Sequence, residues 1–423
     1  MAEAANATNL AAMAWRNIWR NRRRSLITLS SIALGTMLAV IMTAVQDAQW
    51  RDMIDMAARL GGGHVTIQHE EYLETPTLSR SVKQIDELRG LVRRDSQLDE
   101  TVEGMVERVT GYLMVSTAGQ SYGAGFIAYD PERENSETLS ILEAIDEGEL
   151  LEDPHEPRIL MGSQLAENLN TRIGRKVIFT LTDKNAEIIS ETVRLKGILH
   201  TGAPTIDGGL VLLPIGLLRK TVAYAPDEAT QLGLFLEDQR DAGAVADRIG
   251  AALDDGIAAI PWYDNQADLA SFIMMKVAGA YFFEAVIALL VAAGIFNTIF
   301  VSVMERLREF GILLAIGFSP RRLFSLVMLE SFWLGVVGLF FAILITAWPY
   351  YYLANTGIDM SAMIGEGNAE VAGVAIAPLL KASIYPEKLF FIGLAVVVAT
   401  LLSGLYPAWK AGRIEPVESI RIV

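Results

Sequence analysis

The residues with the most distinctive chemistry lie in one short charged stretch between two apolar segments. Ser319 and Pro320 are typical of the N-cap and the first position of a helix, which places Arg321 and Arg322 in its first turn. Cations there oppose the helix dipole at a cost of about 0.3–1 kcal/mol each. Two features could offset this cost: retention of positive charge on the inner side of a membrane, or an acidic groove on a cytoplasmic partner.

The sequence contains other residue types that serve in catalysis or metal binding, but their spacing matches no known motif of such a site. His69 is followed by Glu70 and Glu71 as in a zinc protease motif, but the second histidine is missing. The chain has no cysteine, which excludes disulfides, thiolate metal sites and a cysteine nucleophile. No G-x-S-x-G elbow occurs, and the carboxylates are scattered as on a solvated acidic face. We therefore expect no metal site, no cofactor bound by this chain and no catalytic activity.

The elements that carry these residues are predicted to be membrane spans. Hydrophobic residues make up 52% of the 423 positions, and the mean hydropathy is +0.33. The formal net charge of −15 argues against nucleic acid as a partner. A span needs about 20 apolar residues, and four segments qualify: 26–46, 276–303, 323–348 and 389–409. The first is long for a signal peptide and lacks a convincing cleavage site, so we expect an uncleaved anchor.

Charge predicts how these spans are oriented. The segments 1–25, 304–322 and 410–423 are net positive, so all three are expected to be cytoplasmic. The segment 47–275 contains 20 Lys and Arg against 39 Asp and Glu, a net charge of −19, and is expected on the opposite side together with the loop 349–388. Within the first segment, Trp15 and Trp19 share one helical face. This face indicates either an elbow helix at the inner membrane interface or ordinary packing against the bundle.

The long acidic segment is large enough to fold around its own core. Its 229 residues alternate between strand-like and helix-like patterns. From Asp268 onward a helical pattern continues into the second span without a breaker, which predicts one stalk helix. The predicted fold class is an integral membrane α-helical protein with four transmembrane helices and a large α+β extracytoplasmic (periplasmic) domain.

Several stretches of the chain resemble a known family. The run 305–322 has the pattern E-R-x-R-E-x-G-I-L-x-A-I-G-x-x-x-R-R, which resembles the coupling helix of the MacB, FtsX and LolC/LolE permease superfamily. The tail 406–421 resembles the superfamily's P-A-x-x-A-x-x-x-P-x-x-x-L-R ending, with Ile420 in place of the leucine. The segments 63–67 and 130–134 look more like the LolE-type, lipoprotein-releasing branch.

The resemblance implies a partner that supplies the energy. It implies that the ATPase of this system is a separate cytoplasmic subunit that binds ATP and Mg. In agreement, no G-x-x-x-x-G-K-[ST] phosphate loop occurs in the chain. The run from Glu305 to Gly317 would dock into a groove of an ATPase dimer, with Arg306, Arg308 and Glu309 as polar contacts. The residues nominated for this coupling are Glu305, Arg306, Arg308, Glu309, Gly311, Ile312, Leu313, Ala315, Ile316, Gly317, Arg321 and Arg322.

The resemblance also implies two permeases, either identical or paired with a paralogue, that enclose a cavity for acyl chains. Glu284 is an ionisable residue within a span, and such residues often have a function; the alternatives are exposure to water at the outer end of the span and a role at a substrate portal or dimer seam. The residues nominated by location for the cavity are Leu34, Leu38, Ile41, Met42, Phe282, Phe283, Glu284 and Ile287.

The function implied first is a permease of the bacterial inner membrane that releases lipoproteins or similar lipidated cargo toward the periplasm. Two alternatives stay open. One is MacB-like mechanotransmission for the efflux of periplasmic cargo, and the other is an FtsX-like scaffold that controls a cell-wall hydrolase. The expected partners are the ATPase, the second permease, the cargo, membrane lipids, and a periplasmic carrier or adaptor.

Overall fold

Long helices and a mixed β-sheet occupy different parts of the chain. The structure is a computed structural model that describes residues 2–20, 22–360, 370–371, 374–375 and 379–413. The predicted tail motif beyond residue 413 and part of the predicted 349–388 loop lie outside these residues. Two compact units are present. The helical unit comprises Met1–Gln49, Met275–Asp359 and Leu379–Val423, and the sheet unit comprises Trp50–Met274 and Met360–Pro378.

The helices have the following bounds in chain order. They are α1 (Ala2–Arg20), α2 (Arg22–Leu60), α3 (Ile85–Arg94), α4 (Ser96–Thr101), α5 (Ser163–Asn168), α6 (Pro204–Gly209), α7 (Ile215–Thr221), α8 (Ala242–Gly250), α9 (Trp262–Asn265), α10 (Ala267–Glu305), α11 (Leu307–Ala315), α12 (Pro320–Asn355) and α13 (Pro386–Gly412). Short 3₁₀ turns occur at Ser140–Ala144 and Gln239–Asp241.

The strands are mostly short. They are β1 (Val65–His69), β2 (Val102–Ser116), β3 (Ser121–Tyr129), β4 (Ile145–Gly148), β5 (Arg158–Gly162), β6 (Lys176–Thr182), β7 (Ile188–Leu199), β8 (Leu210–Pro214), β9 (Gln231–Leu236), β10 (Ile257–Pro261), β11 (Ile358–Asp359), β12 (Glu370–Val371), β13 (Val374–Ala375) and β14 (Leu379–Leu380).

The four predicted spans fall in four long helices. Ser25–Leu60 in α2, together with α10, α12 and α13, has the length and hydropathy of a membrane span, with windows of mean hydropathy between 2.0 and 2.4. Both α2 and α10 contain 39 residues, which corresponds to about 58 Å at about 1.5 Å per residue. A bilayer core is about 30 Å thick, so each helix continues well beyond it. The predicted unbroken stalk is found in α10, and α2 also extends past residue 46, where the predicted span ends.

Small residues bring the long helices close together. A Cβ atom on Gly338 of α12 would lie 2.6 Å from a side-chain carbon of Ile32 on α2, and a Cβ atom on Gly404 of α13 would lie 2.2 Å from the Ser331 hydroxyl on α12. Only glycine permits these approaches, as is common between membrane helices. The core of the helical unit lies between these helices and includes Ile295, Phe310, Leu326 and Ala408, among others.

The first helix packs against this bundle on one face. Ala14 and Ile18, four positions apart, are buried, whereas Trp15 and Trp19 are partly exposed. The Trp15 ring meets the edge of Trp333 on α12, with ring centroids 5.2 Å apart. Packing against the bundle, one of the two alternatives for α1, is therefore present, and a position at the membrane interface stays a prediction.

The sheet unit contains a ten-stranded mixed sheet. The strand order is β10-β1-β9-β2-β3-β8-β5-β7-β4, and β6 pairs with β2 and β7. The pairs β3–β8 and β5–β7 are parallel, and the others are antiparallel. The 15-residue β2 joins two halves of the sheet, since its first part pairs with β9 and its second part with β3 and β6. Helices pack on the sheet around a large apolar core, and a second, smaller cluster lies beside it, so the predicted α+β domain is confirmed.

Candidate functional site

The short helix α11 is set apart from its neighbours by a turn at each end. At its C-terminus the Phe318 N–H donates to the Leu313 carbonyl at 2.9 Å, and the Gly317 N–H donates to the Leu314 carbonyl at 3.1 Å. Gly317 has φ +99°. These features form a Schellman motif, in which the left-handed position favours glycine. The next helix then starts as predicted, because the Ser319 hydroxyl accepts a hydrogen bond from the Arg322 N–H at 3.4 Å.

The two faces of α11 differ in character. Phe310 and Gly311 are buried in the helical core, and Leu313 packs partly against it. The opposite face, which we call the coupling face, consists of Arg308, Ile312, Ala315 and Ile316, and all four are exposed. Ile316 is 74% exposed. An exposed apolar stripe with a cation beside it is typical of a helix that docks into a groove on another protein.

The polar side of α11 joins a network, which we call the α11 network, of Asn17, Arg20, Arg306, Glu309 and Glu330. The Glu330 carboxylate on α12 accepts hydrogen bonds from Asn17 Nδ2 at 2.6 Å and from Arg306 Nη1 at 3.0 Å. Arg306 Nε donates to Glu309 at 3.2 Å, and Arg20 Nη2 donates to Glu309 Oε2 at 2.5 Å. The network therefore ties α11 to α1 and α12.

The network also changes the acidity of Glu309. The hydrogen bond from Arg20 has the largest effect and holds the pKa of the Glu309 carboxyl below its usual value. Burial opposes this shift, and the hydrogen bond from Arg306 adds to it. The Glu309 side chain is 47% exposed, so solvent screens these interactions and their contribution to stability is modest.

The nominated coupling residues divide between the two faces. Arg306 is turned inward, with a side-chain exposure of 16%, and both Arg306 and Glu309 bind within the chain. The exposed residues of the nominated set are Glu305, Arg308, Glu309, Ile312, Ala315, Ile316, Gly317, Arg321 and Arg322. Contact of any of them with an ATPase stays a prediction. Sequence reasoning did not place Asn17 and Arg20 in this site, although Glu330, an ionisable residue inside a span, was the signal that a partner must exist.

A second candidate site is an apolar groove between α2, α10 and α13, with a volume of about 190 Å³. Three of the nominated cavity residues, Met42, Glu284 and Ile287, line it. The third wall comes from α13, which the sequence did not nominate. The residues of that wall are Ile392, Ala395, Val396 and Ala399.

The remaining nominated cavity residues lie elsewhere. Leu34, Leu38, Phe282 and Phe283 are exposed and do not line the groove. Ile41 packs instead against a neighbouring cluster that includes Val40, Leu353 and Ile384. Neighbours along a helix point in different directions, so only part of a nominated stretch can face one groove.

Glu284 is the polar feature of this groove. The Thr43 hydroxyl on α2 donates a hydrogen bond to Glu284 Oε1 on α10 at 3.0 Å. The groove thus combines hydrocarbon walls with one carboxylate that faces them.

A serine, a histidine and an aspartate in the sheet unit lie together without the geometry of a hydrolytic site. Ser163 Oγ lies 3.0 Å from His200 Nδ1, and Asp207 Oδ2 lies 3.4 Å from the same nitrogen. A proton relay needs the serine and the carboxylate on opposite ring nitrogens. Within the described part of the chain, no group of three His, Asp or Glu residues is arranged to hold a metal ion.

Comparison with known proteins agrees with this architecture. A family described as MacB-like periplasmic core domain matches residues 25–252, more than half of the chain, and the FtsX-like permease C-terminal family matches residues 281–416. The chain belongs to the MacB, FtsX and LolC/LolE permease superfamily. The second match includes α11, and both matches include long helices of the helical unit.

Individual relatives are similar at low identity. The lipoprotein-releasing system transmembrane protein LolC of Xylella fastidiosa is 26% identical over 295 residues, which cover 63% of this chain and 65% of that protein. The chain thus spans just under two thirds of that relative. The macrolide export ATP-binding/permease protein MacB of Nitrobacter winogradskyi is 19% identical, covering 95% of this chain and 58% of that protein. The pyoverdine export ATP-binding/permease protein PvdT of Pseudomonas putida is 24% identical, covering 96% and 58%.

Proposed function

We propose that this permease releases lipoproteins or similar lipidated cargo from the bacterial inner membrane toward the periplasm, driven by ATP hydrolysis in a separate cytoplasmic subunit. The observation that carries the proposal is the groove between α2, α10 and α13, whose hydrocarbon walls suit acyl chains. The similarity to a lipoprotein-releasing protein supports the choice of cargo.

The coupling face is the proposed contact with the ATPase. Ile312 and Ile316 would enter an apolar groove on that subunit, and Arg308 would meet an acidic rim. Movement imposed on α11 would reach α1 and α12 through Arg306 and the α11 network. The groove would then narrow and expel the cargo outward.

The proposed location follows from the charge pattern. The net positive segments would face the cytoplasm, and the acidic sheet unit would face the periplasm. Two copies of this chain, or this chain and a paralogue, would form the membrane complex.

A second candidate function is mechanotransmission of the MacB kind, in which cargo already outside the membrane is pushed outward. The observation that favours it is the similarity to MacB and PvdT, which extends over 95% and 96% of this chain. This alternative needs an adaptor protein and leaves the groove to membrane lipid. An FtsX-like scaffold would need a cell-wall hydrolase as partner instead.

Affinity purification of the tagged chain from native membranes in mild detergent, followed by mass spectrometry, tests the proposal. We expect an ATP-binding subunit and acylated lipoproteins to accompany the wild type. Replacement of two coupling-face residues, Arg308→Glu with Ile316→Glu, should remove the ATPase. The matched control is Ile188→Glu on β7, which is 79% exposed in the sheet unit and should retain it.

Three outcomes contradict the proposal. Purification of an ATPase with an adaptor and no lipoprotein favours mechanotransmission. An accompanying wall hydrolase favours the scaffold. Retention of the ATPase by the double variant shows that the coupling face does not bind it.

A further inference from the structure

A second groove in the helical unit, which we call the α12 groove, lies between α2, α12 and α13 and has a volume of about 430 Å³. Among its described lining residues none comes from α10, so it is distinct from the groove that contains Glu284. Val40 and Ala342 in its walls are buried, whereas Ile343 and Leu389 are 68% and 44% exposed. The α12 groove therefore opens sideways on the surface of the spans, where a membrane presents hydrocarbon chains.

The depth of the α12 groove can be read from the lengths of the helices. Leu339 and Thr346, which line it on α12, lie 17 and 24 residues beyond Arg322, or about 26 and 36 Å along the helix. Val40 on α2 lies 17 residues beyond Arg23, also about 26 Å. If these arginines mark one boundary of the membrane, the groove reaches from the far part of the hydrocarbon core, which is about 30 Å thick, into the far interfacial layer. A phospholipid places its acyl chains, ester carbonyls and phosphate in this order along the same depth.

The dimensions of the α12 groove favour a hydrocarbon chain over a helix. From Leu339 to Tyr350 the lining residues of α12 cover about 16 Å. The volume spread over that length gives a mean cross-section of about 27 Å², whereas a helix about 10 Å across needs about 80 Å². Extended acyl chains fit this groove, and a transmembrane helix of a second copy of the chain does not.

One wall of the α12 groove carries a buried hydroxyl without a partner. Thr346 is 8% exposed, and within the described part of the chain its Oγ1 has no hydrogen-bond partner. Thr36 on the α2 wall instead donates to the Ile32 carbonyl of its own helix at 2.8 Å. A buried hydroxyl left unsatisfied is costly, and water suits an apolar groove poorly because it needs about two to four polar partners. The missing acceptor is therefore expected on a molecule that is otherwise apolar.

A cation lies at the same depth as Thr346. Asp47 is two helical turns beyond Val40, and so on the same face of α2, at about 36 Å beyond Arg23. Its carboxylate binds the Lys388 ammonium on α13, and the residue after Lys388 is a lining residue of the groove. An ammonium has three N–H donors, and Asp47 takes one of them. The others are available to an anionic oxygen, such as that of a phosphate, at this end of the groove.

We propose that the α12 groove binds one diacyl glycerophospholipid of the bilayer. An acyl chain lies between Val40, Ala342 and Ile392, an ester carbonyl accepts the hydrogen bond of Thr346, and the phosphate lies on Lys388. The ligand belongs to the membrane and not to the cargo, so the inference goes beyond the proposed function and holds equally for mechanotransmission. The bound lipid fills the space between three spans and is a part of their packing.

Native mass spectrometry of the full chain, purified in detergent and titrated with palmitoyl-oleoyl phosphatidylethanolamine, tests the inference. We expect one tightly bound phospholipid per wild-type chain. A diacylglycerol with the same two chains lacks the phosphate and should bind about ten-fold more weakly, as loss of a hydrogen bond to a charged group predicts.

Two substitutions locate the site. A Cβ atom on Gly393, which lines the groove, would meet nothing within 4 Å, so Gly393→Leu should fill the groove with its side chain. We expect phospholipid affinity to fall about ten-fold or more, since displacement of about two methylene groups suffices for this. The matched control is Gly294→Leu on α10, where a Cβ atom also meets nothing within 4 Å and which does not line the groove. It should keep the affinity of the wild type.

Thr346→Val separates a ligand contact from a structural role. It removes the hydroxyl at nearly constant shape and should weaken phospholipid binding about three- to ten-fold. The unfolding midpoint of the lipid-free protein should stay the same or rise, because a buried hydroxyl without a partner has been removed. A purely structural hydroxyl would give the opposite pattern, a lower midpoint with unchanged lipid affinity. If Gly393→Leu does not fold, Thr346→Val decides the question.

Three results would overturn the inference. Equal affinities of the wild type and folded Gly393→Leu would place the lipid elsewhere. Diacylglycerol that binds as tightly as the phospholipid would remove the phosphate contact. Displacement of the phospholipid by an S-diacylglyceryl peptide would assign the α12 groove to lipidated cargo. Failure of ATP-driven release of cargo is measured separately and leaves a phospholipid bound in this groove unaffected.

Discussion

Two arginine-centred networks hold helix ends in this molecule, and they differ in depth. In the sheet unit Arg108 Nε donates to Glu134 at 3.1 Å. The Nη1 atom donates to the Arg59 carbonyl at 2.9 Å, and the Nη2 atom donates to the Thr138 carbonyl at 2.7 Å. It also binds the Gly61 carbonyl. We call this set the Arg108 clamp. The side chains of Arg108 and Glu134 are each 1% exposed, whereas Arg20 and Glu309 of the α11 network are about half exposed.

The difference teaches what each network can do. The Arg108 clamp caps the C-terminal end of α2, where helix carbonyls lack partners and a cation is favoured. The charged groups of Arg108 and Glu134 are withdrawn from water, so removal of one of them leaves the other buried and unpaired, which is strongly destabilising. In the α11 network Glu309 is shared by two arginines, and water is close by, so individual contacts can be exchanged at low cost. We infer that the C-terminal end of α2 is fixed rigidly on the sheet, whereas α11 is held loosely enough to respond to a partner.

The largest expected effect comes from breaking the clamp. Arg108→Met leaves Glu134 buried without its cation and should lower the free energy of unfolding by about 3–5 kcal/mol. Thermal unfolding of the full chain in detergent, followed by circular dichroism, measures this change. The double variant Arg108→Met with Glu134→Leu removes both charges and should regain much of the loss. A single variant as stable as the wild type would show that the clamp is not the stronger network.

Replacement of Glu330, the buried carboxylate of the α11 network, should lower the free energy of unfolding less than Arg108→Met does. Glu330→Gln removes the carboxylate bound by Asn17 and Arg306, and we expect a destabilisation of about 1–3 kcal/mol because Arg306 keeps Glu309 as its partner. The same unfolding measurement applies, with Glu387→Gln as an exposed control expected to stay within about 0.5 kcal/mol. A cost equal to that of Arg108→Met would remove the contrast between the two networks.

A side chain in the turn that ends α11 should destabilise the fold somewhat less than Glu330→Gln does. Gly317→Ala places a side chain at φ +99° and is expected to cost about 1–2 kcal/mol. Gly250→Ala in α8 is the matched control, because a Cβ atom there meets nothing within 4 Å and Gly250 is not at positive φ. That control should be neutral or stabilising by up to about 1 kcal/mol. Unfolding midpoints of the two variants check the prediction, and an unchanged midpoint for Gly317→Ala would show that the turn tolerates a side chain.

The smallest effect concerns pH. Because the pKa of folded Glu309 is lowered, its contribution to stability is present above the unfolded value, about 4.3, and is lost as pH falls through the lower folded value. Arg20→Ala should move the Glu309 pKa back toward its usual value and reduce this contribution by roughly 0.2–1 kcal/mol. A ¹³C NMR titration of glutamate-labelled protein measures the pKa. An unchanged pKa would mean that Arg20 does not bind Glu309 in solution.

Local patterns predicted much of the architecture. Hydropathy identified the four spans, because a span is defined by its own composition. The Ser319 cap and the start of α12 at Pro320 also depend only on neighbouring residues. By contrast, residues 46–60 of α2 include many polar side chains, so hydropathy did not extend the helix to Leu60.

The sites depend on packing and were therefore predicted in part. The spacing of Arg306 and Arg308 marks a charged segment, but only the positions of α1 and α12 decide that Arg306 turns inward and Arg308 outward. For the same reason the α13 wall of the groove was not found from the sequence, although Glu284 and Ile287 were. A helix pattern shows which residues share a face, and the tertiary fold decides what that face meets.

The most direct test of the central claim is ATP-driven release of cargo from a membrane. Proteoliposomes that contain the permease, its co-purified ATPase and a labelled lipoprotein would be given ATP, and the label that leaves the vesicles would be measured by sedimentation. The proposed function predicts ATP-dependent release by the wild type, and none by the Arg308→Glu and Ile316→Glu double variant. ATP hydrolysis at the full rate with all lipoprotein still in the vesicles would contradict it.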